Sequence, residues 1–78
     1  MREKQEYMVI SFHTTAEAIA TEKFCKQRNI PGRLIPVPRE ISAGCGIAWR
    51  MKPEEYAEYE HIMEEAGVGY EAVTEILL

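Results

Sequence analysis

An α+β two-layer sandwich, with four strands and two helices in the order βαββαβ, is the fold class that three observations predict. Strand-forming runs open and close the chain and occupy its middle. Two stretches with helical spacing and recognisable start and stop signals separate them. A proline inside the second strand-like run then demands a sheet edge, because it cannot donate a ladder hydrogen bond.

The first strand is expected over Tyr7-Met8-Val9-Ile10-Ser11-Phe12, a run dense in strand formers. Thr14 or Thr15 offers the N-cap of the first helix, and only Thr14 has the spacing for a capping box with Glu17. That helix should run to about Gln27 and stop near Asn29, ahead of Pro31-Gly32. Ala16, Ala20 and Phe24 recur at i, i+4 and i+8, with Ile19 flanking them, and predict its apolar stripe.

The second strand is expected over Arg33-Leu34-Ile35-Pro36-Val37 and the third over Ile47 to Met51. Pro53 suits a first helical position, and Glu54 and Glu55 complement the positive end of the helix dipole. Tyr56, Tyr59, Met63 and Ala66, with Ile62 beside them, make the apolar face of this second helix, and Gly67 ends it. Tyr70 to Leu77 forms the last strand.

A βαββαβ order is that of the ferredoxin-like fold, whose antiparallel sheet has strand order 4-1-3-2 and puts the Pro36 strand at an edge. Residues 1–78 make a single domain, with 1–6 expected to fray. The helices would cover one sheet face, so the other is expected to be open and to serve as a homodimer surface.

Composition sets the outer bounds of function. With 46% hydrophobic and 28% charged residues the chain reads as an ordinary globular protein. It has no apolar run long enough to cross a bilayer and no signal-peptide pattern, so no membrane role and a cytoplasmic location are expected. The net charge of −4 conceals an asymmetry: through Lys52 nine basic residues face five acidic ones, and beyond it there are eight glutamates and no basic residue. An anionic ligand or acidic partner would have to use the first part.

Cys45 is the leading candidate for chemistry. It stands between Gly44 and Gly46, in a connection between two strands, where the thiol would be sterically open. In the expected topology this loop shares one end of the molecule with His13, Thr14 and Thr15 at the start of the first helix. The helix N-terminus, Arg39 and His13 could there favour a thiolate, the nucleophilic form of the sulfur. Arg50 would sit at the far end of its strand. Cys25 lies about 15 Å along the helix from its N-cap, at ~1.5 Å per residue, too far for a disulfide to Cys45, which needs Cα atoms within about 7 Å. It should be a semi-buried helix residue turned away from the Ala20/Phe24 stripe.

Other chemistries find less support. No metal site is expected, since Cys25, Cys45, His13 and His61 show none of the spacings of zinc ligands. His61 should be a solvated surface residue, and the glutamate pairs 54/55 and 64/65 fit helix ends better than acid–base catalysis. A serine–histidine–aspartate set is ruled out, because the chain has no aspartate. The βαββαβ order is also that of an RNA-recognition motif, but Tyr7 and Trp49 do not reproduce its aromatic signature and the chain is acidic, so no nucleic-acid partner is expected. Trp49 is expected in the core.

The segment from Arg33 to Arg50 resembles a small bacterial family of domains described as putative Se/S carrier protein-like, whose recurring pattern is close to RLIPVPREISSSCGLALR. Pro36, Pro38, Arg39, Glu40, Ile41, Ser42, Cys45, Gly46 and Arg50 match it; Ala43 and Gly44 replace serines and Trp49 a leucine. The pairs Glu22-Lys23 and Glu64-Glu65, with Ala66-Gly67, extend the likeness over nearly the whole chain. The resemblance implies a carrier of sulfur or selenium on Cys45, without a cofactor, loaded by a cysteine desulfurase-type donor and unloaded by an acceptor protein. Arg39, Ser42, Gly44, Gly46, His13 and Thr15 would support it. The alternative is a non-catalytic module that binds a small ligand or a protein through the same loop and helix N-terminus, with Arg39 and Ser42 as contacts.

Overall fold

Residues 4–41 and 45–78 are described by a computed structural model. Its elements follow in the expected order: β1 (Glu6–Ser11), α1 (Thr15–Gln27), β2 (Arg33–Pro36), β3 (Ile47–Met51), α2 (Pro53–Glu65) and β4 (Ala72–Leu77). The strands form one antiparallel sheet in the order β2-β3-β1-β4, the ferredoxin-like arrangement, with Pro36 at the end of the edge strand β2. Gln5 exchanges both backbone hydrogen bonds with Leu78, at 3.0 and 2.9 Å, and Glu6 pairs with Leu77.

Alternation along the strands sorts side chains between two faces. Ile10, Trp49 and Met51 meet the helices and form the main core with Phe12, Ala18, Cys25, Ile30 and Met63. Trp49, Phe12 and Met51 are the largest side chains fully buried there, each contributing on the order of 1.5–3 kcal/mol by leaving water.

The buried face of α1 differs from the expected stripe. Ala18, Thr21 and Cys25 are buried, whereas Ala16 and Ala20 are exposed, Phe24 is half-buried and Ile19 is 53% exposed. The end of the helix explains the rotation. Arg28 is the C-cap and Asn29 takes a left-handed conformation with φ +56°. The Ile30 amide donates to the Cys25 carbonyl at 2.8 Å and the Asn29 amide to that of Lys26 at 3.4 Å. This is a Schellman motif, in which residues at the positions of Cys25 and Ile30 pack together, and both lie in the core. Cys25 is therefore fully buried, not turned away.

α2 follows its expected face more closely. Met63 is buried and Tyr56, Tyr59 and Ile62 are half-buried, but Ala66 is exposed as the C-cap. Gly67 follows with φ +72°, donating to the Glu64 carbonyl at 3.0 Å.

The second sheet face is not bare. Val9 and Ala48 are fully buried there and Ile76 nearly so. Tyr7, Ile35, Val37, Ile41 and Leu78 pack around them. Val37 and Ile41 belong to the β2–β3 connection, so part of that loop covers the face that the helices leave free.

Candidate functional site

The β2–β3 loop is closed at its neck by the Val37 amide donating to the Gly46 carbonyl at 3.1 Å. Pro38 to Ile41 make a turn in which the Ile41 amide donates to the Pro38 carbonyl at 3.0 Å, leaving Arg39 and Glu40 exposed at its corner. The Ile41 side chain tucks against the Val9/Ala48/Ile76 cluster. Cys45 instead packs against the helix-side core. The loop is thus anchored on both faces of the sheet, with Cys45 at its returning end. Ser42 and Gly44, both expected to support the site, lie outside the described residues.

Cys45 is half-buried, and its thiol donates to the Ile47 carbonyl at 3.0 Å. The thiol is less open than its flanking glycines suggest: Cys45 packs against hydrophobic side chains, and among the described residues its hydrogen-bond partner is the Ile47 carbonyl. Gly46 beside it is exposed and has φ +80°, a conformation that explains the glycine by itself, because a Cβ there would meet nothing within 4 Å. Cys25 is also a free thiol, but it is sealed in the core, and burial pushes its pKa up to about 11. Of the two cysteines, Cys45 alone is partly exposed.

The strand register brings the start of α1 to the same end of the sheet as Cys45, since Ser11 pairs with Ala48 and Ile47 pairs with Pro36. Thr14 is the N-cap, and its hydroxyl accepts from the Glu17 amide at 3.2 Å. The Glu17 carboxylate accepts from the His13 amide at 2.7 Å, the Thr14 amide at 3.3 Å and His13 Nδ1 at 3.3 Å. Partial desolvation acts to raise the pKa of Glu17, but these bonds outweigh it and hold the carboxyl below its ordinary value. The helix end expected to serve a thiolate therefore has an anion of its own. His13 is turned to that anion, and Thr15 is the exposed first residue of the helix. Among the described residues, Arg39, His13 and Thr15 make no hydrogen bond to Cys45, whose partner is Ile47.

Among the described residues, two cavities lie away from Cys45. One of about 20 Å³ lies under Tyr56, Met63, Val68 and Tyr70 and reaches the buried Thr21 hydroxyl. The other, of about 230 Å³, lies at the opposite end of β3, beside Arg50 and Lys52. Among the described residues no cluster of three His, Cys, Asp or Glu side chains could hold a metal, and no helix is long and apolar enough to cross a membrane. The anchors Val37 and Ile41 were missed by sequence reasoning, although Ile41, apolar between Glu40 and Ser42, is a signal that could have found one of them.

A family model described as "Putative Se/S carrier protein-like" matches residues 7–75, almost the whole chain. The chain belongs to that family. A search of curated proteins and a search of solved structures each returned no match.

Proposed function

We propose that this member of the Se/S carrier protein-like family carries sulfur or selenium covalently on Cys45 and passes it to a partner. The observation that carries the reading is that Cys45, unlike the buried Cys25, is a partly exposed free cysteine at the end of an anchored loop. A carrier needs a sulfur that two different protein surfaces can approach.

The loading step is a thiol exchange. The Cys45 thiolate attacks the terminal sulfur of a persulfide on a cysteine desulfurase-type donor, the S–S bond of the donor breaks, and the donor cysteine leaves as a thiolate. Cys45 is left with the extra sulfur as a persulfide, and no outside oxidant or reductant is consumed. A selenium atom on the donor cysteine would transfer by the same displacement. Attack requires the thiol to leave the Ile47 carbonyl, and the open positions beside Gly46 give it room. Arg39, exposed at the loop's corner, supplies positive charge for docking.

The test is loading by a cysteine desulfurase supplied with labelled cysteine, read by intact-protein mass spectrometry without reductant. Wild type and Cys25→Ser should each gain one sulfur atom. Equal loading of Cys45→Ser would sink the proposal. A selenocysteine-fed donor in a parallel arm distinguishes the two elements.

A further inference from the structure

We propose that the cleft between the start of β2 and the end of β3, opposite the Cys45 end of the sheet, binds a small oxyanion such as a phosphate or a carboxylate. Its volume is about 230 Å³, and Tyr7, Pro31, Gly32, Arg50, Met51, Lys52 and Glu55 line it. Arg33 stands directly across from Arg50 in the β2–β3 ladder. Like charges directly opposite each other cost stability. Among the described residues neither arginine forms an ion pair that would offset the cost.

One of the cationic groups also has a fixed neighbour. The Arg50 guanidinium lies over the Tyr7 ring, 4.4 Å from its centroid, which fixes the planar fork before any ligand arrives. Gly32 brings its backbone so close that a Cβ would lie 2.7 Å from the Arg50 carbonyl oxygen and from the Trp49 ring, so the wall of the cleft is rigid. The acidic residue in the lining is already engaged: Glu55 accepts the Lys52 amide at 3.0 Å as part of the α2 cap. Arg50 and Lys52 thus outnumber Glu55 in the lining, with Arg33 across the ladder from Arg50, in a chain whose net charge is −4. An oxyanion satisfies the forked donors of a guanidinium in a way that chloride does not.

Inorganic phosphate, acetate and chloride, titrated into the full chain at matched ionic strength and followed by backbone amide NMR, test this. Saturable shifts at Gly32, Arg33, Met51 and Lys52 with phosphate, acetate or both are expected, and which anion binds identifies the class. Arg50→Gln and Arg33→Gln should each weaken binding about tenfold, equivalent to about 1.4 kcal/mol. Arg39→Gln and Cys45→Ser, both at the other end, should leave it unchanged. Should Arg50→Gln fail to fold, Arg33→Gln and Lys52→Gln decide. Absence of saturation, shifts matched by chloride, or full binding by the folded arginine variants would overturn the proposal.

Discussion

The Cys45 thiol sits 3.0 Å from the carbonyl oxygen of Ile47, and the loop that delivers it is pinned on the opposite sheet face by Ile41. A thiol engaged in this way must leave its acceptor before it can react, and the Ile41 anchor is expected to restrain that movement. Native-state alkylation should therefore label Cys45 and spare Cys25 until the protein unfolds. Ile41→Ala removes one anchor without touching the thiol, and should raise the Cys45 alkylation rate several-fold while far-UV circular dichroism stays unchanged. An unaltered rate would show that Ile41 does not restrain the cysteine.

Cys25 gives the fold a signature at alkaline pH. Its pKa is raised from 9.0 to about 11 because the core disfavours the thiolate, whereas the unfolded chain ionises normally. Below 9.0 both states hold the proton and the native state keeps its full advantage. Between 9.0 and about 11 the unfolded state alone releases it, so stability falls by at most about 1.4 kcal/mol per pH unit. Urea denaturation of wild type against Cys25→Ala across this window isolates the effect, since the variant should lose that part of the slope. Cys25→Ser should cost about 1–3 kcal/mol at neutral pH, because the hydroxyl would be buried where the thiol packs.

The start of α1 should govern the acid side. Glu17 has a depressed pKa in the folded state, so its contribution is present above 4.5 and is lost as pH falls below 4.5 through the folded value. Glu17→Gln should flatten this acid limb in urea titrations. Thr14→Ala removes the hydroxyl that caps the Glu17 amide and should lower stability by about 1 kcal/mol at neutral pH.

Local signals made much of this molecule legible. The spacing of Thr14 and Glu17, the proline at 53, the glycine at 67 and the edge position of Pro36 are each set by neighbours in the chain, and each stands where the sequence places it. The buried face of α1 was misplaced because two alanines with helical spacing, Ala16 and Ala20, carry little hydrophobic weight. The Cys25–Ile30 contact at the helix end fixes the rotation instead. At the candidate site the sequence points to Cys45 but not to its resting partner. A backbone carbonyl has no sequence signature, and packing Ile41 onto Val9 and Ala48 depends on how distant strands meet. Glu17, legible as a capping residue, also takes the anion position at the helix end that had been assigned to the thiolate.

Gly32 should be the least replaceable glycine of the described set. Its φ of +136° lies in a region that L side chains rarely adopt, and an added Cβ would come within 2.7 Å of the Arg50 carbonyl and the Trp49 ring. Both neighbours are immobile, one being sheet backbone and the other a ring that is 2% exposed. Relief requires moving β2 away from β3 or tilting Trp49 out of the core. Gly32→Ala should therefore cost more than about 2 kcal/mol and shift the tryptophan fluorescence to longer wavelength as water reaches the indole. Gly67→Ala, with open space around its Cβ but φ +72°, should cost only about 1 kcal/mol, since it carries the backbone strain without the collision. Equal losses at the two positions would mean that the contact with Trp49 contributes nothing to the penalty.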